Sequence, residues 1–435
     1  MMDYYPSSLQ ADTAQKRLAA LKEIKKKIDS GEIKKSSESN SVNNHIHTLF
    51  SFSPYSPSAA VYMAWQNGLC TAGMMDHDSI GGAKEFIEAG KILGIATTVG
   101  LECRVNMDST RLAGKKINNP DQNSIAYVAL HGLRHDCIET VQAYFAPYRE
   151  ARNQRNRIMC DNITTLLSKT GIRLDFDTDV LPFSEYERGG TVTERHILFS
   201  LAKKLDTRFP QRDALCAFLE QALGIPMREK TKTNLLNAPD AYYLYDLLGL
   251  LKGNLVEQFY VPATEECPSV QDFIALCKQV GAISAYAYLG DVGDSVTGDK
   301  KAQHFEDRYL DLLFEELSAL GFNAVTYMPT RNTQTQLAVV MDYCRKYALF
   351  QISGEDINSP RQSFVCKALE KPAYTHLYAA TYALIGHEKM VSQDSSHGMF
   401  SEKTLEMMPD LYHRIAYFEA IGRAEGGEYG ILSCN

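Results

Sequence analysis

Residues 45–50 read HIHTLF, residues 69–77 read LCTAGMMDH and residues 96–103 read ATTVGLEC. Each is a short apolar run that carries polar residues at one end, a pattern that predicts a β-strand. The segments between them, SAAVYMAWQNG at 58–68 and the stretch from about Gly82, are typical of helices. Strand, helix, strand, helix, strand favours a parallel sheet, either open or closed into a barrel. We therefore predict an α/β fold with its chemistry at the C-terminal ends of the strands.

Further apolar runs that predict strands follow along the chain. Residues 125–133 (IAYVALHGL) predict a fourth strand, which follows a polar loop between Asp108 and Ser124. Three more strands are predicted, at GAISAYAYL (281–289), NAVTYMP (323–329) and ALFQISGED (348–356).

The remaining segments predict helices and a linker. An amphipathic pattern from about Gln10 to Ile28 predicts an N-terminal helix, and the polar run Lys34–Asn44 reads as a linker. The predicted organisation has an N-terminal helix and linker at 1–40, a split barrel at 41–145 and 281–375, a mainly helical insertion at 146–280 and a C-terminal helical extension at 376–435. The C-terminal helices could pack on the barrel or join a second subunit.

Composition and charge exclude several classes of protein. The chain has 435 residues, with 45 Lys and Arg against 53 Asp and Glu, a formal charge of −8 that makes nucleic acid an unlikely partner. Its ten cysteines form no C-x-x-C pair and are expected to be reduced thiols. The N-terminus MMDYYPSSLQ lacks a signal-peptide pattern, and no apolar stretch approaches the length of a membrane span. We expect a cytoplasmic protein with no membrane partner.

Imidazole and carboxylate side chains recur where the predicted strands end. His45 and His47 are two residues apart, so on a strand both side chains emerge from one face and can hold one ion. An isolated H-x-H also occurs in solvated turns, and Asp78 could simply cap the next helix. The other candidates at predicted strand ends are Asp76, His77, Glu102, His131 and Asp356.

This set of donors predicts a metal-dependent hydrolase. Imidazoles and carboxylates together suit one or two divalent ions of Zn, Mn or Fe, and such an ion lowers the pKa of a bound water to about 7. A water activated in this way needs no protein nucleophile. The sequence contains no G-x-x-x-x-G-K-[ST] loop, no G-x-G-x-x-G after a strand and no G-x-S-x-G elbow. Nucleotide-driven enzymes and serine hydrolases are therefore disfavoured.

Three motifs resemble a known family, the polymerase and histidinol phosphatase (PHP) superfamily of metal-dependent phosphoesterases. They are HIHT at 45–48, MDHDSIGG at 75–82 and GLE at 100–102, beside family patterns of approximately H-x-H-T, T-D-H-D-x-x-x-G and G-x-E. The segments RNQRNRIMCDNITTLLSKTGIRLDF and TVTERHILFSLAKKL also resemble the helical segment of some members. The resemblance implies an irregular, TIM-like (βα)7-type PHP barrel with an inserted helical domain.

The resemblance also implies roles for individual residues. His45, His47, Glu102 and Asp356 would form one metal position, and Glu102 with His131 would contribute to a second. His77 would belong to a third position. Arg195 or Arg331 would hold substrate phosphate, with a surface salt bridge as the alternative for either arginine. For hydrolysis of a phosphoester, Asp76 or His77 could donate a proton to the leaving group or orient other groups around it, and the sequence does not choose between these roles.

The chain departs from the family pattern at three points. It reads SFSPYS at 51–56, where an Asp or His ligand is usual, and it has Tyr286 where a histidine ligand is expected. It also has Asn358 where the D-x-H motif ends in an imidazole. We expect the third metal position to be lost and the second weakened. Tyr286 could coordinate a metal, hydrogen-bond a phosphate or be structural.

The sequence thus predicts a phosphoesterase that hydrolyses a small phosphomonoester, a nucleotide being one candidate, through metal-activated water. One alternative is a single-metal hydrolase of another bond, such as C–N. Another is a catalytically silent protein that binds metal or phosphate while its insertion recruits a partner. Substrate, metal identity and oligomeric state stay open.

Overall fold

A seven-stranded sheet forms the centre of the protein. The computed structural model describes residues 5–36, 39–291 and 304–424. Each predicted strand has a counterpart in the structure: β1 (Val42–Ile46), β2 (Thr71–His77), β3 (Ala96–Asn106), β4 (Ile125–His131), β5 (Ile283–Ala287), β6 (Ala324–Tyr327) and β7 (Phe350–Ser353).

Helices surround the sheet and form the segments outside it. They are α1 (Ala14–Asp29), α2 (Pro57–Gln66), α3 (Ala83–Leu93), α4 (Ile138–Leu166), α5 (Glu194–Arg208), α6 (Arg212–Leu223), α7 (Glu229–Leu236), α8 (Asp240–Phe259), α9 (Val270–Gln279), α10 (Leu310–Leu320), α11 (Gln334–Lys346), α12 (His376–Gln393), α13 (Glu402–Met407) and α14 (Leu411–Arg423). Within the described residues, no helix is both long enough and apolar enough to cross a membrane.

The strands follow one another across the sheet in chain order. β1, β2 and β3 are parallel, as are β5, β6 and β7, whereas β4 is antiparallel to both of its neighbours. The reversal follows from the connection, because a loop rather than a helix joins β3 to β4, and parallel strands need a crossover. The prediction of a uniformly parallel sheet was wrong for this strand.

The sheet curls so that β1, at one edge, lies beside the segment that follows β7, at the other edge. Ile46 of β1 forms an isolated parallel bridge with Ile357, which follows β7. The His47 amide donates to the Ile357 carbonyl over 2.9 Å, and the Ile357 amide donates to the His45 carbonyl over 3.1 Å. β1 begins at Val42, inside the run predicted as linker, because Val42 is buried and the amide side chain of Asn44 bonds to the Ser353 carbonyl. The fold is thus α/β with a curled, half-closed barrel.

Separate hydrophobic cores cover the two faces of the sheet. The larger one joins the outward side chains of the strands, such as Met74 and Leu101, to α2, α3 and α9. On the inward face, Met75 and Ala129 contact Leu384 of α12. Helix α12 of the C-terminal extension therefore packs against the inward face of the sheet.

The middle of the chain has its own core. Buried apolar residues from Met159 to Phe259 form a cluster joined from the barrel side by Phe52. Helix α4 runs without a break across residue 146, where the sequence suggested that the insertion begins. Every cysteine of the described ranges is a free thiol, as expected.

Two glycines allow α12 and α14 to cross in close contact. A Cβ atom added to Gly386 would lie 1.9 Å from the Phe418 carbonyl oxygen, and one added to Gly422 would lie 1.8 Å from the Tyr382 carbonyl oxygen. Both atoms that would clash with the added Cβ belong to the backbone, so the clash can be removed only if the two helices move apart. Since α12 fills the inward face of the sheet, this crossing supports the floor of the barrel.

We expect Gly386→Ala to lower the free energy of unfolding by about 2 kcal/mol or more, because overpacking here moves two helices. Urea denaturation followed by circular dichroism measures the change. Gly249→Ala, on α8 with no atom near its added Cβ, is the matched control and should raise stability by up to about 1 kcal/mol. Equal effects of the two substitutions would contradict the close crossing.

Candidate metal centre

His45 and His47 lie side by side at the end of β1. Val42 and Ile46 point outward into the main core, and a shift in register against β2 occurs between Asn43 and Ile46. The two histidines therefore face inward, with their Nε2 atoms 3.2 Å apart. The His47 side chain is only 1% exposed. Two ring nitrogens aimed at one point are the geometry expected of an H-x-H metal site.

Glu102 brings a carboxylate to the same point from β3. The parallel register pairs Glu102 with His77 of β2, so both side chains face inward at one level. Its Oε1 atom lies 3.3 Å from His47 Nε2, 3.5 Å from His45 Nε2 and 3.1 Å from His77 Nδ1. Donor atoms of His45, His47 and Glu102 all lie within 4.8 Å of one another. These three residues form the centre of the candidate site.

Asp356 completes the cluster from the other edge of the sheet. Its Oδ1 lies 3.1 Å from His47 Nε2. The segment that carries it passes very close to β1, since a Cβ on Gly354 would lie 2.6 Å from the backbone nitrogen of His45. The Asn43 side chain joins the two segments, because its Oδ1 accepts from the amides of His45 and Glu355. Sequence reasoning did not identify Asn43 and Gly354, although both lie within three residues of a predicted ligand.

A chain of hydrogen bonds behind His47 fixes the orientation of its ring. His47 Nδ1 lies 3.1 Å from Ser51 Oγ, and Ser51 Oγ donates to Asp76 Oδ1 over 2.7 Å. Since Ser51 donates to the carboxylate, its oxygen can accept the Nδ1 proton of His47, so that in the neutral ring Nε2 is the unprotonated nitrogen and faces the cluster. Thr48 also donates to Asp76, from its amide and its hydroxyl. Asp76 is fully buried, and this position favours the orienting role over that of a proton donor.

The electrostatics of the cluster favour a positive charge. Burial lowers the pKa of His47, but Asp356 and Glu102 outweigh it and raise that pKa to about 10. Burial raises the pKa of Glu102, yet His77 and His45 hold it well below its ordinary range. The carboxyl of Asp356 behaves in the same way, because hydrogen bonding and charge from His47 outweigh burial and lower its pKa. Two ionised carboxylates stabilise a cation at the point where the ring nitrogens converge.

His77 and His131 are the neutral imidazoles of the site. Burial lowers the pKa of each to about 3. β4 is antiparallel, so His131 does not share the strand-end position of the other candidates. It lies deeper in the barrel, two residues beyond Ala129, the partner of Glu102. Its Nε2 is buried and has no hydrogen-bond partner within the described ranges, which leaves it available to a ligand.

Arg195 and Asn358 adjoin the open side of the cluster. Arg195, in the first turn of α5, donates to Asn358 Oδ1 over 2.6 Å, while Asn358 Nδ2 donates to Asp356 Oδ1 over 2.6 Å. The Asn358 side-chain amide accepts from the Arg195 guanidinium through its oxygen and donates to the Asp356 carboxylate through its nitrogen. Burial lowers the pKa of Arg195, and Asp356 opposes this shift. One of the two predicted phosphate-binding arginines is therefore part of the site.

Two predicted site residues occupy other positions. Tyr286 pairs in register with Val128, faces outward into the main core and donates its hydroxyl to Glu306. The structure does not bring Tyr286 to the cluster, because alternate residues of a strand point to opposite faces. Arg331 is half-buried and donates to the Leu289 carbonyl over 3.3 Å. Burial lowers the pKa of Arg331, and the charges of Glu306 and, to a smaller extent, Asp356 oppose this shift.

The insertion holds the loop that follows His77. Asp78 has a positive φ of 47°. Arg149 of α4 donates to its carbonyl over 3.1 Å, and Arg152 forms a buried salt bridge of 2.9 Å with its carboxylate. Asp78 therefore anchors the loop to α4, and Gly82, not Asp78, is the N-cap of α3. Sequence reasoning missed both arginines, because their partner lies some seventy residues away in the chain.

The donor set fits a transition-metal ion. Two imidazoles and two carboxylates converge from β1, β3 and the segment after β7, a mixture of ligands that Zn, Mn and Fe accept. The hydrogen bonds behind His47 add the support that metal-bound histidines normally have. His45, His47, Glu102 and Asp356 could hold one ion, and His131 lies on the same inward face below them.

Comparisons with known proteins support the fold. No family model matches the chain, and no curated protein matches its sequence. A solved structure from Bifidobacterium adolescentis, described as a candidate metal-dependent phosphoesterase, matches 79% of this chain and 96% of its own at 18% identity, with a TM-score of 0.50. An amidohydrolase from Chromobacterium violaceum, with bound sulfate and no metal, matches 78% and 96% at 16% identity, with a TM-score of 0.50. The chain shares the fold of these proteins.

We expect the full chain to retain a divalent ion after dialysis and His47→Ala to lose it. Removing this ring takes away one donor and leaves two carboxylates facing each other. Inductively coupled plasma mass spectrometry after loading with Mn, Zn or Fe measures the metal content. His413→Ala removes a largely exposed histidine of α14 and should leave the content unchanged. Equal metal content in the two variants would exclude the cluster as the binding site.

Proposed function

We propose that this protein is a metal-dependent phosphoesterase of the PHP kind that hydrolyses a small phosphomonoester, a nucleotide being one candidate. The observation that carries the proposal is the convergence of His45, His47, Glu102 and Asp356 with Arg195 beside them. The four donors supply a cation site, and the guanidinium supplies a fixed positive charge next to it. A phosphate group is the substrate element that such a pair of positive charges recognises best.

The chain's own residues divide the work of the site. His45, His47, Glu102 and Asp356 are the proposed metal ligands, and His131 is the proposed additional ligand of a second, weaker position that Glu102 would share. A divalent ion bound by these residues would act as a Lewis acid and would lower the pKa of a water ligand. Ser51 and Asp76 hold the His47 ring in the tautomer that offers Nε2.

Arg195 is the residue that we assign to the substrate phosphate. Its Nη1 already donates to Asn358, which in turn contacts Asp356, so the guanidinium is held at a fixed distance from the metal ligands. A guanidinium fixed in this way loses little conformational entropy when it binds an anion and can stabilise charge that develops on the phosphoryl oxygens. Arg331 stays a weaker candidate, since its guanidinium donates to the backbone carbonyl of Leu289.

His77 is better suited to orient than to protonate. Its Nδ1 faces Glu102 Oε1 at 3.1 Å, and its pKa of about 3 leaves the ring neutral at neutral pH. A neutral imidazole can donate a hydrogen bond from its N–H to the Glu102 carboxylate, but that N–H is too weakly acidic to protonate a leaving group. We therefore assign His77 to fixing the Glu102 carboxylate.

Hydrolysis of a C–N bond is the second candidate function. The similar fold of the amidohydrolase supports it, and so does a cluster that places four donors around one point. A single ion with an activated water would suit such a reaction. The proximity of Arg195 favours a phosphate substrate over a neutral amide, and a panel that contains both substrate types separates the two proposals.

We expect the metal-loaded protein to release inorganic phosphate from at least one member of a panel of phosphomonoesters that includes nucleotides. His47→Ala should lower the rate by about 100-fold or more, since even outer-shell partners of a metal contribute 10- to 100-fold. Molybdate detection of phosphate measures the rate, and N-acyl amino acids in the same panel test the C–N alternative. Phosphate release that survives in His47→Ala would refute the proposed centre.

For a substrate found in that panel, Arg195→Gln should lower kcat/KM by about 10- to 100-fold, because a charge-assisted hydrogen bond to phosphate is lost. Arg157→Gln removes an exposed arginine of the insertion that pairs with Asp177 and is the matched control. Steady-state kinetics of both variants give the comparison. If Arg195→Gln retained full kcat/KM, the phosphate would have to be held by another group.

A further inference from the structure

We propose that the insertion carries a second binding site, separate from the metal centre, for a small phosphorylated ligand. The site is a pocket of about 470 Å3 between α5 and the segment that follows α4. Its lining includes four cationic side chains, one aromatic ring and one buried hydroxyl, namely Arg173, Lys203, Lys204, Arg208, Phe183 and Ser200. This combination is not part of the proposed hydrolytic site.

One face of α5 forms the inner wall of the pocket. Ser200, Lys203, Lys204 and Thr207 recur at spacings of three and four residues, which places them on one side of a helix. Ser200 is at the buried end of this row and Thr207 is exposed, so the row runs from the floor of the pocket to its rim. A ligand in the pocket would therefore contact successive turns of the same helix.

The pocket carries a net positive charge. Lys204 forms a salt bridge of 2.5 Å with Asp179, which also lines the pocket. Arg173, Lys203 and Arg208 form no salt bridge with any carboxylate of the described residues. Three uncompensated cations around one cavity contrast with a chain whose formal charge is −8. Such a concentration of charge attracts an anion with more than one negative charge, as a phosphate group is.

Ser200 supplies independent support for a ligand. Its side chain is 1% exposed, and its hydroxyl oxygen has no hydrogen-bond partner within the described part of the chain. A buried hydroxyl without a partner is costly, and native proteins rarely leave one unexplained. Because Ser200 lines the pocket, a phosphate oxygen bound against α5 would satisfy it.

Phe183 indicates what else the ligand could carry. Its side chain is 46% exposed although it is a large apolar group, and Lys203 Nζ lies 4.0 Å from its ring centroid. A flat ring attached to the phosphate could cover the exposed part of Phe183, whereas free phosphate would leave it in water. Inorganic phosphate and a ring-bearing phosphate ester both offer the phosphate group that the cations would bind. Only the ester would also contact Phe183.

The pocket is distinct from the metal centre. Arg195, which adjoins the metal ligands, is in the first turn of α5, and Lys203 and Thr207 follow 8 and 12 residues later. At about 1.5 Å of rise per residue, these positions are about 12 and 18 Å further along the helix axis. One phosphate group therefore cannot occupy both sites.

Isothermal titration calorimetry tests the proposal with the full chain stripped of metal by a chelator, which removes the contribution of a bound ion to phosphate binding; Arg195 remains in every variant, so binding at the metal centre is the same in all of them. The probes are inorganic phosphate, ribose 5-phosphate and adenosine 5′-monophosphate. Two variants are compared with the unaltered protein: a double variant that carries both Lys203→Gln and Arg208→Gln, and the single variant Ser200→Ala. Lys230→Gln, which removes an exposed lysine of α7 outside the pocket lining, is the matched control for charge.

We expect at least one probe to bind, the double variant to weaken binding at least about tenfold and Ser200→Ala to weaken it about fivefold. The melting temperature of Ser200→Ala should not fall, because the hydroxyl has no partner in the folded protein. Tighter binding of the adenosine ester than of inorganic phosphate would identify a ring-bearing ligand, and equal binding would identify phosphate alone. No binding at millimolar concentration, or an equal loss in Lys230→Gln, would overturn the proposal.

Discussion

Two backbone hydrogen bonds join the first strand to the segment after the last strand, and the candidate metal centre depends on them. They link the amide of His47 to the carbonyl of Ile357 and the amide of Ile357 to the carbonyl of His45. Without this pairing, Asp356 would lie on one edge of an open sheet and His47 on the other. The close approach also explains Gly354, since any larger side chain would meet the backbone of His45.

The sequence predicted the strands well because their apolar runs are short and clearly bounded, and every predicted strand exists. It failed for the direction of β4, since direction depends on whether the connection is a crossover, and apolar runs carry no information about that. The same limit affected Tyr286. The resemblance to the PHP superfamily placed it where a histidine ligand is expected, but the pairing of β5 with β4 turns its side chain outward.

Within the site, the side chains that converge on the proposed cation were easier to predict than the hydrogen bonds that position them. His45, His47 and Glu102 follow from strand periodicity and from the resemblance to the PHP superfamily. The roles of Ser51 and Asp76 depend on hydrogen bonds across two strands. A polar side chain that only hydrogen-bonds to another polar side chain leaves no periodic signal, so Ser51 was missed, and Asp76 was predicted without its partners.

The insertion contributes to the centre from two directions, which explains why a helical region is joined so closely to the barrel. Arg152 holds the loop after His77 through Asp78, and Arg195 reaches the carboxylate side through Asn358. Burying Arg152 and Asp78 removes both charges from water, which costs free energy. The attraction between the two charges offsets that cost only while Asp78 stays within reach of Arg152. Movement of α4 relative to the sheet would therefore shift the loop that follows His77. The insertion is better understood as one wall of the site than as an independent appendage.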